Sequence, residues 1–273
     1  MTDTLIGAAV SVLETGNARD KAARARAVAA NWRAGSLPRG RSQLVPDRPA
    51  RPARPELKRP RDVPRRRITE APGGRTALLH ALCHIELNAI DLAFDIVARF
   101  GGIDAPDVFP TGFLDDWIMV GDDEARHFLM LDDRMAELDA GYGDLPAHDG
   151  LWMASMDTAF DPLARLAIVP MVLEARGLDV TPAMIDKLRS VGDDRSADTL
   201  QIIHDDEITH VAAGKRWFDH LCSKRNLDPL PTWQDLVTRH FKGGLKPPFN
   251  VVSRDKADFP ECYYAPLAES LNA

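Results

Sequence analysis

Hydrophobic residues recur every three to four positions in four long stretches of the chain, which is the period of an amphipathic α-helix. The first stretch ends at Gly101 and Gly102, and Gly is favoured just past a helix C-terminus. No stretch of useful length alternates apolar and polar residues, as a half-buried strand would. The sequence therefore predicts an all-α fold, with its long helices at about 75–100, 112–139, 151–177 and 196–224.

Shorter helices are predicted around these four. Residues 4–33 carry apolar side chains at helical spacing and are expected to form one amphipathic helix. Thr181 is followed by Pro182, and since Pro is favoured at the first helical position, a short helix is expected there, between the third and fourth long helices. Another short helix is expected at 232–241, inside a Pro-rich and irregular tail.

The segment 34–72 is predicted to be an extended arm. Seven prolines lie between Pro38 and Pro64. Each lacks an amide donor and pushes the preceding residue out of the α region, so a helix cannot continue through them. The expected organisation therefore has four parts, which are an N-terminal helical segment (1–37), a Pro/Arg-rich arm (38–74), a four-helix bundle (75–226) and a C-terminal tail packed on the bundle (227–273).

The arm is basic, whereas the rest of the chain is acidic. Residues 38–67 hold 11 Lys and Arg against three acids, in a chain whose net charge is −7. Such an arm could bind nucleic acid or an acidic membrane surface. It contains no Phe, Tyr or Trp between Gly35 and Arg75, and therefore lacks the aromatic residues on which single-stranded bases stack. We favour an arm that lies across its own acidic bundle, and we expect no membrane partner.

The composition is that of an ordinary globular protein, with 45% hydrophobic and 27% charged residues. The best candidate for a membrane span, 163–173, is interrupted by Arg165 and Pro170. The N-terminus lacks the basic region of a signal peptide. The three cysteines are an odd number, so we expect reduced thiols and a cytoplasmic location.

Glutamate is scarce in this chain and falls into a distinctive pattern. Only 10 of the 41 acidic residues are Glu, although Glu forms helices better than Asp. Two of the predicted helices contain Glu-x-x-His, in which the carboxylate and the imidazole lie one turn apart on one helix face. The other two long helices each contribute a single Glu. The complete set of candidate ligands is Glu86, Glu124, His127, Glu174, Glu207 and His210.

This set matches the ligands of a dinuclear metal site inside a four-helix bundle. Four carboxylates balance two divalent cations. Oxygen donors with one imidazole per ion suit iron or manganese, whereas structural zinc favours thiolates. We expect two metal ions, with iron favoured and manganese or a mixed Fe/Mn pair as alternatives. Each imidazole needs an acceptor for its second N–H. Asp123 and Asp206, each directly before the Glu of a pair, are the candidates.

The alternative is that these residues are surface positions of amphipathic helices. The neighbours of Glu86 argue against this, because Leu82, Ala89 and Ile90 lie on the same helix face. Burying an unpaired carboxylate is costly, and metal coordination is one of the few ways to offset that cost.

Other residues near the pattern have weaker functional interpretations. His80 and His84 are one turn apart on the first long helix, and we expect hydrogen-bonded packing rather than a second metal site. Cys83 and Trp217 share helix faces with the proposed ligands. Buried packing is favoured over a redox role for Cys83 and over electron transfer for Trp217.

Three further residues are singled out on the third and fourth long helices. His204 and Asp205 precede the second Glu-x-x-His and are kept as candidates for contacts to the ligands. Pro170 interrupts the third helix and frees the carbonyl of Leu166, so the helix is expected to kink or widen there. Such a distortion can lie beside an open coordination position or serve packing alone.

Four segments, 80–86, 123–128, 174–179 and 206–211, carry a family resemblance. They resemble the ferritin-like superfamily and, more closely, the bacterial family of ferritin-like proteins known as domain of unknown function 455. The similarity covers most of the chain, including the arm and residues 246–250. The Asp-Glu-x-Arg-His form of the second segment is also similar to that of di-iron oxygenases and desaturases, whereas Thr209 replaces Arg in the second copy. The resemblance implies a four-helix bundle with a metal-binding interior and implies no substrate.

Three functions follow as hypotheses. The first is a di-iron or Fe/Mn oxidoreductase that activates O₂ or peroxide, uses an external electron donor, and oxidises a small molecule or a modified nucleic acid. The second is metal handling, either iron oxidation or storage. The third is a non-enzymatic scaffold stabilised by metal. The terminal arm and tail argue against the tiled surface of a storage cage, so we expect a monomer or dimer.

Overall fold

The computed structural model describes residues 3–59, 62–63, 68–69 and 72–269. Within them the chain is all-helical, as predicted, and contains no strand apart from one isolated bridge between Leu57 and Ala147. The helices are α1 (Leu5–Leu13), α2 (Ala18–Arg33), α3 (Pro72–Phe100), α4 (Thr111–Ala136), α5 (Gly150–Asp157), α6 (Pro162–Ile168), a π-helical segment (Val169–Glu174), α7 (Ala175–Ser190), α8 (Asp194–Lys224), α9 (Pro229–His240), α10 (Val251–Lys256) and α11 (Glu261–Glu269). None of these helices combines the length and the apolar content needed to cross a membrane.

The chain divides into two compact units, Met1–Trp152 and Met153–Ala273. The first unit is built on the pair α3 and α4, with α1 packed on α3 and α2 packed mainly on α4. The two long helices approach closely where Gly121 of α4 lies against the ring of Phe94 of α3, since a Cβ at Gly121 would lie 2.6 Å from that ring. The domain boundaries expected from the sequence stay predictions.

The single N-terminal helix expected over 4–33 is wrong, because the structure contains two helices. α1 ends at Leu13, and α2 starts afresh after Asn17. The side chain of Asn17 accepts a hydrogen bond from the amide of Asp20 at 3.1 Å and so caps the new helix. The apolar spacing continues across the break, which is why periodicity alone did not reveal it.

The first half of the arm lies against its own unit. Arg39 donates hydrogen bonds to the carbonyls of Gly101 and Phe109, at 2.5 and 2.8 Å. Arg41 pairs with Asp104 at 3.0 Å. Further arginines of the arm, Arg48 and Arg51, pair with Asp149 and Asp91. This half of the arm therefore neutralises acids of the first unit. The prolines and arginines at 60–61 and 64–67 lie outside the described residues.

In the second unit α8 packs against α7, α6, the π-helical segment and α9. The third long helix expected over 151–177 is wrong in its extent: α5, α6, the π-helical segment and α7 occupy this region and continue to Ser190. The predicted stop at Gly177 does not occur, and Pro182 lies inside α7 rather than starting a new helix. The fourth long helix and the helix near 232–241 are confirmed as α8 and α9.

Pro170 widens the helix as expected. The chain forms a π-helix over Val169–Glu174, directly at this proline. Pro170 packs on Gly214 of α8, where a Cβ would lie 2.4 Å from the proline Cβ. The distortion is therefore accompanied by a close packing contact between the π-helical segment and α8.

Pro182 is tolerated inside α7 because the tail replaces the hydrogen bond that it removes. A proline has no amide hydrogen to give to the carbonyl four residues earlier, which here belongs to Leu178. The side-chain amide of Asn250 donates to that carbonyl at 3.1 Å. The tail, expected to be irregular here, forms α10 directly after Asn250.

The buried side chain of Arg254 holds this part of the tail on α7. Its Nε and Nη2 each lie 2.8 Å from a carboxylate oxygen of Asp179. Its guanidinium stacks 4.3 Å from the ring centroid of Tyr264 in α11. Arg176 adds a hydrogen bond of 2.7 Å to the carbonyl of Lys246. The tail is therefore an integral part of the second unit.

Candidate metal centre

Three of the six predicted ligands meet in the first unit. Glu86 lies on α3, and Glu124 and His127 lie one turn apart on α4. Nδ1 of His127 is 3.3 Å from Oε2 of Glu86 and 3.5 Å from Oε2 of Glu124. One ligand atom from each of the three side chains lies within 4.8 Å of the others. This group could hold a metal ion.

The group is buried, and its electrostatics favour a cation. Glu124 and His127 are fully buried, and Glu86 is 3% exposed. Burial, and next the charge of Glu124, raise the pKa of Glu86 well above its usual range, while His127 acts in the opposite direction. A divalent ion between the two carboxylates would offset both the burial and the mutual repulsion. The donor set therefore fits a hard or borderline cation.

The other three predicted ligands belong to the second unit. Glu207 and His210 lie one turn apart on α8, with Nδ1 of His210 3.6 Å from Oε2 of Glu207. His210 is buried and Glu207 is half-buried. Glu174 is the last residue of the π-helical segment and is also half-buried.

Asp123 and Asp206, the acids expected to orient the imidazoles, each take part in a hydrogen bond within their own helix. Asp123 accepts a hydrogen bond from Arg126 at 3.0 Å on the same helix. Asp206 lies on α8 directly before Glu207, and its backbone carbonyl accepts a hydrogen bond from the hydroxyl of Thr209. The roles of Asp123 and Asp206 toward His127 and His210 stay predictions.

His80 and His84 have the hydrogen-bonded packing role that was expected of them. Nε2 of His80 accepts the amide hydrogen of Gly143 at 3.0 Å. Nε2 of His84 lies 3.0 Å from the carbonyl oxygen of His148, and its Nδ1 lies 2.8 Å from the hydroxyl of Tyr142. Burial lowers the pKa of His84 to about 4. Both imidazoles therefore form hydrogen bonds with the loop that follows α4.

Tyr142 is the residue of this region that sequence reasoning missed. Its ring stacks on both histidines, with centroid distances of 5.5 Å to His80 and 6.1 Å to His84. It also meets Phe128, the neighbour of His127, edge to face at 5.5 Å. The feature of the sequence that could have pointed to Tyr142 is its position as an aromatic residue between two glycines.

The remaining candidates lie in the protein interior. Cys83 is fully buried, and its Sγ lies 3.7 Å from the carbonyl oxygen of Phe128. Burial raises the pKa of its thiol well above the usual range. Trp217 packs against His220. Nε2 of His204 lies 3.4 Å from the hydroxyl of Ser253, and its Nδ1 lies 3.5 Å from Asp205. These contacts favour packing for Cys83 and Trp217.

Comparison with known proteins identifies the family of this chain. The sequence model of a family described as "Protein of unknown function (DUF455)" matches residues 14–265. The chain belongs to this family. An "Uncharacterized protein" of Haemophilus influenzae is 39% identical over 216 residues, covering 77% of this chain and 73% of its own length. The family match spans all six candidate ligands, and no solved structure matches the chain.

Proposed function

We propose that the six side chains hold two metal ions in one dinuclear centre, with iron favoured and manganese or a mixed Fe/Mn pair as alternatives. The single observation that carries this proposal is the buried group of Glu86, Glu124 and His127 in the first unit. Three such donors converge in the interior of the unit, and a bound cation would offset the cost of burying them.

The two units offer matched sets of donors. Each contributes one Glu from one helical element and a Glu-x-x-His pair from the long helix that packs on it. This repeated set is the one that supplies dinuclear centres in ferritin-like bundles. We therefore propose a ferritin-like bundle whose four long elements are α3, α4, the π-helical segment with α7, and α8.

An oxidoreductase is the activity that this donor set supports best. Iron bound by these residues would supply the chemistry that activates O₂ or peroxide and oxidises a substrate. The residues that directly follow Glu86 and His127, Leu87 and Phe128, are apolar and fully buried, which keeps water out of this interior. The substrate is a small molecule or a base in a nucleic acid, and an external donor provides electrons.

The test is metal analysis of the full chain after reconstitution with Fe(II) or Mn(II). We expect about two equivalents per chain. The double variant Glu86→Gln with Glu124→Gln should lose at least one of them. Glu137→Gln, a control at the end of α4 where the residue pairs with Arg134, should keep both. In the Mn(II) form, an exchange-coupled electron paramagnetic resonance signal would show that the ions are neighbours.

Further measurements separate the activities. Metal-dependent consumption of O₂ with a chemical reductant should occur in the parent protein and disappear in the double variant. A large cage on size-exclusion chromatography would favour iron storage. A protein that binds no metal and is equally stable without it would overturn the proposal and leave a non-enzymatic scaffold.

A further inference from the structure

A cavity open to solvent lies between the arm and the rest of the first unit, and none of the proposed metal ligands lines it. It has a volume of about 330 Å³. Pro52, Pro55 and Leu57 of the arm form one side, and His84 and Tyr142 form another. Arg51 supplies a cationic side chain at the arm. We refer to this space, which is formed entirely by residues of the first unit, as the arm cavity.

The arm cavity borders a buried cluster with an excess of positive charge. Lys21 of α2 and Asp91 of α3 form an ion pair in which both side chains are fully buried. Nη2 of Arg51 lies 2.8 Å from the second oxygen of Asp91. Two cations thus share one carboxylate in a region that is largely shielded from water. An anion beside Arg51 would balance the excess charge.

The guanidinium of Arg51 has unused hydrogen-bond donors. Its Nη2 donates to Oδ1 of Asn88 at 2.8 Å. Its Nε and Nη1 are buried, and neither has a hydrogen-bond acceptor among the described residues. A buried donor without an acceptor costs free energy, and a carboxylate is the acceptor that a guanidinium binds best.

The remaining walls are compatible with an anion that has an apolar body. Glu56 is the acid that borders the cavity, and its carboxylate pairs with Lys58 at 3.1 Å, so its charge is balanced. Pro52, Pro55 and Leu57 offer hydrocarbon surface. The volume lies at the lower end of the range for small-molecule sites, which suits a ligand of about one ring.

We propose that the arm cavity binds a small organic carboxylate, with its carboxylate on Arg51 and its apolar body against Pro52, Pro55 and Leu57. The site is separate from the proposed metal centre and goes beyond the proposed function. A ligand here would bridge the arm and the first unit, and would therefore stabilise the docked arm.

The probe is benzoate, titrated calorimetrically into the full chain, with benzamide as the neutral analogue of equal shape. Benzoate should bind one site per chain, and benzamide should bind at least about tenfold more weakly because it lacks the charge. Ala53→Phe places a ring at an exposed arm position that borders the cavity and should abolish benzoate binding. Leu44→Phe, at an arm residue that is 94% exposed, should leave binding unchanged.

A second pair of variants tests the cation. Arg51→Gln should weaken benzoate at least about tenfold, whereas Arg48→Gln, which removes an arm arginine paired with Asp149, should not. Circular dichroism of each variant confirms that it is folded. In crystals grown with 4-bromobenzoate, the anomalous bromine peak should lie against Leu57.

Three results would overturn the proposal. The first is that benzoate does not bind at concentrations up to about 10 mM, which corresponds to a binding free energy weaker than about 3 kcal/mol. The second is that benzoate and benzamide bind equally well. The third is that Ala53→Phe still binds benzoate. Since none of these variants touches a proposed metal ligand, metal content should stay at the parent level whatever their effect on benzoate. Failure here would thus be distinguishable from failure of the metal proposal.

Discussion

Pro170 and Gly214 are in direct contact, and a Cβ added to Gly214 would lie 2.4 Å from both Cβ and Cγ of the proline ring. This contact fixes the π-helical segment on α8. Glu174 ends that segment, and His210 lies one turn before Gly214 on α8. The smallest residue at 214 therefore sets how closely two ligand-bearing elements of the second unit approach.

Gly214→Ala should destabilise the protein by about 1–3 kcal/mol, because the methyl group forces apart a packed contact that neither the proline ring nor the helix backbone can easily relax. Urea unfolding followed by circular dichroism measures the loss. Gly177→Ala is the matched control, since a Cβ at Gly177 would have no neighbour within 4 Å. That change should stabilise α7 by up to about 1 kcal/mol. Equal effects of the two substitutions would contradict this account.

The sequence predicted the all-α class and the long helices α3, α4 and α8 because the apolar spacing of these helices is regular over many turns. Glu-x-x-His was informative for a related reason, since helix geometry alone places Glu124 beside His127. The π-helix could be anticipated because Pro170 removes one identifiable hydrogen bond.

Other features depend on distant parts of the chain and leave little local signal. The break between α1 and α2 had a local cue in Asn17, but the apolar spacing obscured it. The continuation of α7 through Pro182 depends on Asn250, which is far away in sequence. Docking of the arm depends on buried charges such as Asp91, which look like surface acids in the sequence. Such tertiary contacts override local propensity.

Asn250→Ser should cost about 1–2 kcal/mol of unfolding free energy, because it leaves the carbonyl of Leu178 without a donor. Serine retains the ability to cap α10, which Asn250 does by accepting from the amide of Ser253. Combining Asn250→Ser with Pro182→Ala tests the cause. Alanine at 182 restores an amide hydrogen for Leu178, so the cost of Asn250→Ser should shrink in that background. Strict additivity in the double-mutant cycle would argue against the coupling.

Lys21→Met should destabilise the protein by about 3 kcal/mol, because it removes one partner of the fully buried pair with Asp91. Arg26→Met, on the same helix α2, is the control. Arg26 pairs with Asp122 but its side chain is 47% exposed, so the loss should stay below about 1 kcal/mol. Urea unfolding of both variants gives the comparison. A smaller effect at Lys21 than at Arg26 would show that the buried pair does not hold α2 on the first unit.

The three thiols should differ sharply in reactivity. Cys83 and Cys222 are fully buried, whereas Cys262 is exposed. Burial raises the pKa of Cys222 to about 12 and that of Cys83 well above its usual range. Because the thiolate is the nucleophile, raising the pH to 9 should still leave only about one in a thousand Cys222 side chains ionised.

Native protein should therefore release about one equivalent of thionitrobenzoate from Ellman's reagent at both pH 8 and pH 9, and three after unfolding in guanidinium chloride. Cys262→Ser should reduce the rapid equivalent to none while preserving the two that appear on unfolding. If two thiols of the native parent protein reacted rapidly, α3 or α8 would open on the time scale of the reaction. If Cys262→Ser then kept one rapid thiol, that thiol would be Cys83 or Cys222.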